Sequence, residues 1–256
     1  HRLIRRQRQM CIRDRKYPEA STLLDTQYRA NKKIIEFSNR MFYHNKISSG
    51  EENENICLEI SCKLSYPFSE ILDKEPLIWV DTKKFSEHEW KERRSKEFSA
   101  YNVYELAVIK ILIDKLINCG IKSSEIGIIS PFKTQSSYIR RYLQKSTTHA
   151  KENIEVLDTQ IIGAKTVDAF QGREKDIIIF NLVLSPKGKE CIKSTILNDY
   201  RRLNVALTRA KRKLIIVGSS ELTTVEKYIL IKKLYEFFSK EGKVIELQEK
   251  FHKEYE

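Results

Sequence analysis

The sequence contains no apolar run long enough to cross a membrane. A membrane-spanning helix needs about 20 apolar residues, whereas the longest apolar run, residues 177–184, is interrupted by Asn181. The amino terminus is charged and no apolar segment follows it, unlike a secretory signal. We therefore expect neither membrane insertion nor secretion, and we assign the protein to the cytoplasm, or to the nucleus if the cell is eukaryotic.

Cysteine is scarce and scattered. The five cysteines form no Cys-x-x-Cys pair, and the five histidines do not cluster beside them. A disulfide framework or a zinc site usually shows such spacing, so we predict neither of them and no other metal site. A reducing compartment fits this cysteine usage.

Acidic residues are fewer than lysines and arginines, and the formal net charge is +12. A surplus of this size predicts a polyanionic partner. Part of it lies in residues 1–15, where residues 5–15 match the in-frame translation of a transposase sequencing adapter whose last codon is completed as Arg. We interpret residues 1–15 as translated adapter; the alternative is a native basic arm that contacts phosphate. Without its six Arg and one Asp, the net charge is +7.

Apolar strands alternate with amphipathic helices from about residue 77 onward. This alternation predicts a parallel sheet covered on both faces, which is an α/β fold in three layers, over residues 16–250, with a charged tail at 251–256. Ligands bind such sheets at the carboxyl ends of the strands, so we expect the functional residues there. Strands are predicted at 77–80, 126–129, 154–157, 165–167, 177–184, 214–217 and 243–247, and helices near 34–42, 99–118, 135–144, 200–210 and 225–239.

Two short segments combine polar groups next to predicted helices. Tyr28 and Arg29 precede the first helix and offer a flat ring for stacking beside a planar cation for a phosphate. Residues 130–135, Ser-Pro-Phe-Lys-Thr-Gln, follow a strand and open a helix, whose first N–H groups can hold a phosphate oxygen. Taken alone, an arginine near a helix start is usually a surface residue, and the second segment equally describes an ordinary capped turn.

Two longer segments are more polar than most connections in a compact sheet. Residues 166–176 include Gly172, which permits close approach of the backbone; a charged surface loop is the alternative. Residues 199–211 predict a helix with one buried stripe, while Arg202 and Arg209 share another face. A rigid helix that presents an arginine is how an arginine finger reaches a phosphate; a solvated basic face is the alternative.

Together these segments resemble motifs IV, V and VI of superfamily 1 helicases, of the branch that contains the nonsense-mediated-decay helicase, senataxin and the replication nuclease-helicase. Thr-Val-Asp-Ala-Phe-Gln-Gly-Arg-Glu (166–174) and Arg-Arg-Leu-Asn-Val-Ala-Leu-Thr-Arg-Ala (201–210) are long matches, and the resemblance runs from residue 17 to about 219. It implies a RecA-like domain, the second motor domain of such a helicase. Phe132, where the family usually has Tyr, is one departure.

The resemblance implies roles at an ATP site. Arg209 would be the arginine finger, and Arg29 would contact the γ-phosphate across an interdomain cleft, so these two are the expected catalytic residues. Tyr28 would stack on the adenine. Glu174 would hydrogen-bond the ribose, with Gly172 letting the loop approach.

The resemblance also implies a nucleic-acid surface. Thr166 would hold a phosphate of the strand, and Ser130, Lys133 and Gln135 would do likewise. Arg202 is expected to tie its helix to neighbouring carboxylates and not to contact a ligand.

No Gly-x-x-x-x-Gly-Lys-Ser/Thr loop and no strand-terminal Asp-Glu pair occurs in the sequence, and these are the groups that cradle phosphates and hold Mg²⁺. In the resembling family they lie on an upstream RecA-like domain. We therefore expect the second half of an ATP-dependent DNA or RNA helicase or translocase, inactive toward ATP by itself, whose partners are single-stranded nucleic acid and that upstream domain. The alternative is a non-hydrolysing nucleic-acid-binding module or a degenerate motor.

Overall fold

The computed structural model describes residues 25–85, 93–94, 99–145, 154–158, 174–186 and 197–248. The six main strands are β1 (Leu77–Asp81), β2 (Ile126–Ser130), β3 (Glu155–Asp158), β4 (Lys175–Asn181), β5 (Ala210–Gly218) and β6 (Lys243–Glu246). The α-helices within these ranges are α1 (Lys32–Phe42), α2 (Phe68–Ile71), α3 (Val103–Asn118), α4 (Lys133–Lys145), α5 (Tyr200–Leu207) and α6 (Ile229–Glu241). Within these ranges, no helix combines the length and apolar character that a bilayer crossing requires.

All six strands run parallel in one sheet, in the spatial order β6-β1-β5-β4-β2-β3. Their side chains alternate between two cores, because successive residues of a strand point to opposite faces. Trp79 and Phe180 lie in the core beneath α1, α5 and α6, whereas Ile78 and Ile179 lie in the core beneath α2, α3 and α4. Burial of both faces confirms the predicted three-layer α/β fold and explains why the strands are almost entirely apolar.

Three expectations from the sequence lie outside the described residues. They are the interpretation of residues 1–15 as adapter, a strand at 165–167 and the charged tail at 251–256. They stay predictions.

Helix α3 begins later than its apolar periodicity predicts. Ala100–Tyr101 pairs with Arg93–Arg94 as a short antiparallel bridge, and Asn102 then caps the helix by accepting the N–H groups of Tyr104 and Glu105, at 3.1 Å each. An Asn cap supplies partners for backbone donors that the first turn leaves unpaired, and so fixes where the helix starts. The predicted start near residue 99 is therefore wrong by about one turn.

Helix α5 ends earlier than predicted. Thr208 closes its last turn by donating its hydroxyl to the carbonyl oxygen of Asn204, at 2.8 Å. The backbone then becomes extended, because the N–H of Lys175 pairs with the carbonyl oxygen of Arg209. Ala210 is buried as predicted, but as the first residue of β5 and not as the end of the helix.

The expectation that the cysteines form no disulfide is wrong for one pair. Cys62 and Cys119 are disulfide-bonded, with their Cα atoms 5.4 Å apart, and Cys57 is a free thiol. The two partners are 57 residues apart in sequence, and only the packing of the segment that contains Cys62 against the end of α3 brings them together. Spacing along the chain gives no sign of such a pair.

Lys213 is a fully buried charged residue in the middle of β5. Its Nζ donates to the carbonyl oxygens of Asp73 and Glu75, at 2.9 and 2.5 Å, and lies 3.7 Å from the Asp73 carboxylate. Burial lowers the pKa of Lys213 to about 8, although the charges of Asp73 and Glu75 oppose this shift.

We expect Lys213 to make the free energy of unfolding rise with pH between about 8 and 10.5. In this window the folded chain has released the Lys213 proton and the unfolded chain still binds it, so each pH unit adds up to about 1.4 kcal/mol. Below the folded-state pKa both states hold the proton, and this contribution is lost. Urea unfolding of the wild type and of Lys213→Met across that range measures the difference, and equal pH slopes in the two proteins would contradict the assignment.

Candidate functional site

The turn that carries Tyr28 and Arg29 is organised by the side chain of Gln27. Its Oε1 accepts the N–H groups of Arg29 and Ala30, at 2.9 Å each, and its Nε2 donates to the carbonyl oxygen of Ala30 and the hydroxyl of Ser49, at 2.8 and 2.7 Å. Ala30 is fully buried, so this turn fixes where Arg29 leaves the fold. Sequence reasoning missed Gln27, because the side chains that usually form such turns are the shorter Asn, Asp, Ser and Thr.

Tyr28 presents its ring at the surface. The residue is 68% exposed, and its ring packs against the backbone of Gly50, where a Cβ atom would lie 2.3 Å from Cε1 of Tyr28. The side-chain amide of Asn53 donates to the carbonyl oxygen of Tyr28. Any side chain at Gly50 would displace the ring, so Gly50 sets the position of an aromatic surface that is open to a flat ligand.

Arg29 meets Glu174 across the domain. Its Nε lies 2.5 Å from one oxygen of the Glu174 carboxylate, and the Nζ of Lys211 lies 3.1 Å from the other. Burial by itself raises the pKa of Glu174, but the hydrogen bond from Lys211 and the charge of Arg29 outweigh it, and the pKa is lowered. Glu174 is therefore an ionised carboxylate that holds two cations, and Lys211 is a member of the site that the motif did not identify.

Arg209 joins the same group. Its carbonyl oxygen accepts the N–H of Lys175, and its Nε donates to the carbonyl oxygen of Val205, both at 3.1 Å. Burial lowers the pKa of Arg209, the charge of Arg29 lowers it further, and the charge of Glu174 raises it. Arg29 and Arg209 are thus close enough to repel one another, and they share Glu174 as a counter-ion.

Arg29 and Lys211 contact the Glu174 carboxylate, and Arg209 interacts with it through charge. We call Arg29, Glu174, Arg209 and Lys211 the arginine cluster. Its positive charge exceeds its negative charge by two. Cations placed close together suit a ligand that carries several negative charges.

The arginine cluster lies at the amino edge of the sheet. Glu174 directly precedes β4 and Arg209 directly precedes β5, while the N–H of Asn31 pairs with the carbonyl oxygen of Lys211 at 2.8 Å and anchors the start of α1 there. The expectation that the functional side chains lie at the carboxyl ends is wrong for this group. The expectation assumed that the loops after the strands carry the polar groups, whereas here they precede the strands.

Three of the four residues predicted to bind nucleic acid, Ser130, Lys133 and Gln135, lie at the opposite edge, where β2 ends. Lys133 is exposed. Ser130 is fully buried, with its hydroxyl 3.5 Å from the N–H of Phe132, and Gln135 is fully buried and hydrogen-bonds to the backbone of Asn102. Side-chain groups of Ser130 and Gln135 are therefore engaged inside the chain, and only Lys133 of the three reaches the surface.

Two further predicted site residues, Thr166 and Gly172, lie outside the described residues. Arg202 behaves as expected, because its Nε lies 3.4 Å from the carboxylate of Asp199, the residue that caps α5.

A family model described as an AAA domain (AAA_12) matches residues 3–221. The match begins within residues 1–15, whose interpretation as adapter stays a prediction. It extends over the Tyr28-Arg29 turn, both long motif stretches and the arginine cluster.

The chain is similar to three curated proteins along most of its length. It is 35% identical to the uncharacterized ATP-dependent helicase MJ0104 of Methanocaldococcus jannaschii, over 83% of this chain and 29% of that protein. It is 34% identical to DNA polymerase alpha-associated DNA helicase A of Saccharomyces cerevisiae, over 78% and 28%, and 34% identical to the regulator of nonsense transcripts 1 homolog of Drosophila melanogaster, over 78% and 15%. The chain thus spans less than a third of each relative. It belongs to the DNA2/NAM7-like helicases of superfamily 1, as one of their RecA-like domains.

Proposed function

We propose that the chain is the C-terminal motor half of an ATP-dependent helicase or translocase, and that it supplies the arginine finger. The proposal rests chiefly on the arginine cluster, where Arg29 and Arg209 reach one edge of the sheet from separate elements and share Glu174. Relatives that cover most of the chain are named helicases, which supports the same reading.

The arginine cluster fits a nucleoside triphosphate. Arg209 is held by the carbonyl oxygen of Val205, and we assign it as the finger that offsets charge on the transferring phosphoryl group. We assign Arg29 to the γ-phosphate. ATP supplies the phosphoanhydride bond whose cleavage drives the motor, and an arginine finger accelerates that step by about 10³–10⁵-fold.

The remainder of the nucleotide is assigned to neighbouring groups. Tyr28 offers an exposed ring for the adenine, and Glu174 offers a carboxylate for the ribose, with Gly172 allowing the approach. Glu174 has a second task, because it holds Arg29 and Lys211 in place before any ligand arrives. We assign Mg²⁺ and the phosphate-cradling loop to an upstream RecA-like domain of the same protein.

Nucleic acid is assigned to the opposite edge of the sheet. Lys133 is exposed at the start of α4, and α4 contains four cationic residues and no acidic one, which favours contact with phosphates. Thr166 is proposed to hold a phosphate as well. Ser130 and Gln135 are proposed to shape this loop from inside, since both are buried. One relative is named for DNA polymerase alpha and another for nonsense transcripts, so we propose a single strand of either DNA or RNA.

The experiment is a measurement of ATP hydrolysis by the full-length protein and by the 256-residue chain, each with and without single-stranded DNA or RNA. We expect full-length turnover to rise on the preferred strand and the chain alone to show no turnover. Turnover by the chain alone would contradict the half-motor proposal. Strand binding without turnover in the full-length protein would instead support a binding module or a degenerate motor.

A further inference from the structure

Asn102 joins three elements at the carboxyl edge of the sheet. Besides capping α3, its Nδ2 donates to the carbonyl oxygen of Val183 and the hydroxyl of Ser185, both at 3.2 Å. Its backbone N–H donates to Oε1 of Gln135 at 3.0 Å, and its carbonyl oxygen accepts from Nε2 of Gln135 at 3.2 Å. All four residues are buried. The start of α3, the first turn of α4 and the segment after β4 are thus bonded to one asparagine.

Glu105, one turn further along α3, binds the same segment. Its carboxylate is fully buried and accepts the N–H of Val183 at 2.8 Å and the side-chain amide of Asn181. Burying a carboxylate is unfavourable unless it accepts hydrogen bonds. These contacts give Glu105 a defined task at the exit of β4, and we call Asn102, Glu105 and Gln135 the exit hub.

Val183 is held by the exit hub in a strained conformation. Its φ is +71°, in the left-handed region that a β-branched residue rarely adopts. Its N–H is bound by Glu105 and its carbonyl oxygen by Asn102. A residue persists in such a conformation only where its surroundings enforce it, and it has a relaxed alternative at negative φ if those bonds break.

We propose that Asn102 and Glu105 are positioning residues that couple the nucleic-acid edge of this domain to its nucleotide edge. The inference rests on the proposed function. The exit hub is hydrogen-bonded to the first turn of α4, which begins at Lys133, and to the segment that follows β4. The other end of β4 directly follows Glu174, which belongs to the arginine cluster. A movement of α4 on a bound strand is passed through Gln135 and Asn102 to β4, and the strained backbone of Val183 is assigned as the element that changes conformation during this coupling.

The test is a binding experiment on the full-length protein. The Kd of a labelled single-stranded oligothymidylate is measured with and without a non-hydrolysable ATP analogue, and the ratio of the two Kd values is the coupling factor. The variants are Glu105→Ala, Glu105→Gln and Val183→Gly. Glu125→Ala is the matched control, because the Glu125 carboxylate also accepts a backbone N–H at 2.9 Å, from Lys122, but outside the exit hub.

We expect a wild-type coupling factor of at least about ten, within the ordinary range for linked sites. Glu105→Ala removes the acceptor for the Val183 N–H, so the factor falls close to one while each ligand's own Kd changes by less than about threefold, since neither ligand contacts the exit hub. Glu105→Gln keeps an acceptor oxygen and retains most of the coupling, and Glu125→Ala retains all of it. Val183→Gly also loses the coupling, because glycine is not strained at positive φ. Its coupling factor tests the inference if Glu105→Ala does not fold.

Unchanged coupling in the folded Glu105→Ala or Val183→Gly protein overturns the inference, and so does an equal loss in Glu125→Ala. A wild type in which the two ligands bind independently overturns it too. Failure of the proposed function gives a different result. If the wild type shows coupled binding of the two ligands but no strand-stimulated ATP hydrolysis, the motor proposal is contradicted and the inference about the exit hub is not.

Discussion

Arg209→Ala in the full-length protein is expected to lower kcat for ATP hydrolysis by about 10³–10⁵-fold, the contribution measured for arginine fingers. Binding of a single-stranded oligonucleotide should change by less than about threefold, since Lys133 and α4, which we propose to contact the strand, lie at the other edge of the sheet. The measurement is steady-state hydrolysis at saturating strand, combined with a fluorescence-anisotropy Kd for the same oligonucleotide.

The size of this effect follows from how Arg209 is held. Its guanidinium donates to the carbonyl oxygen of Val205 at the end of α5, and its backbone is fixed in the sheet by Lys175. Burial and the charge of Arg29 both lower the pKa of Arg209, which means that the two neighbouring cations repel one another. An anionic ligand relieves that repulsion, and a charge that develops in the transition state relieves it most.

Two variants distinguish the specific effect of the arginine finger from the effect of removing a positive charge. Arg209→Lys keeps a positive charge but loses the planar fork of donors, so we expect it to remain severely impaired. Arg212→Ala is the matched control: its side chain is half exposed and pairs with Asp176 of the neighbouring strand β4 at 3.1 Å, and turnover should remain near that of the wild type. Wild-type turnover in Arg209→Ala would show that the finger is assigned to the wrong residue.

Arg29→Ala should produce the second largest loss, about 10²–10³-fold in kcat, as expected when one donor aimed at developing charge is removed. Arg29 is set in place by the turn around Gln27 and by its ion pair with Glu174. Lys32→Ala is the control from the next turn of the chain, because Lys32 forms an exposed pair with Glu54, also at 2.5 Å. Comparable losses in both variants would indicate that general positive charge at this edge, and not a defined contact, supports hydrolysis.

The two arginines are expected to act as a unit. Because both are proposed to meet one triphosphate, the loss in the Arg29→Ala, Arg209→Ala double variant should be smaller than the product of the two single losses. Independent, fully multiplicative losses would argue that the two groups act at separate sites.

The parallel sheet could be predicted because its strands are apolar on both faces, as at residues 126–129 and 177–180, and alternate with helical patterns. The ends of the elements could not be read from the same periodicity. Asn102 with Glu105 three residues later is a recognisable capping pattern, yet only its first half operates, because Gln135 takes the Asn102 N–H and Glu105 turns to Val183. Partners that are distant in sequence compete for the Asn102 N–H and the Glu105 carboxylate, and a local sequence pattern cannot predict which partner is bound.

The motif residues were easier to identify than to place. The resemblance named Arg29, Glu174 and Arg209, but Arg29 lies well over a hundred residues before the other two. Only the order of the strands puts the three at one edge. Lys211 was overlooked because it stands in a basic stretch whose charges look alike in sequence, whereas its distance to Glu174 distinguishes it. For Ser130 and Gln135 the error was the opposite one, because they were predicted to contact a ligand and prove to be buried. Polar residues at the end of a strand had been interpreted as surface groups.

The most direct test of the central claim is a structure of the full-length protein with ADP and aluminium fluoride, which imitates the transferring phosphoryl group. We expect guanidinium nitrogens of both Arg29 and Arg209 within about 3 Å of fluorine or oxygen atoms of that group, the distance of a charge-assisted hydrogen bond. If either guanidinium instead remains bound to protein groups more than about 6 Å away, beyond any direct hydrogen bond, the two arginines do not serve one triphosphate and the account fails.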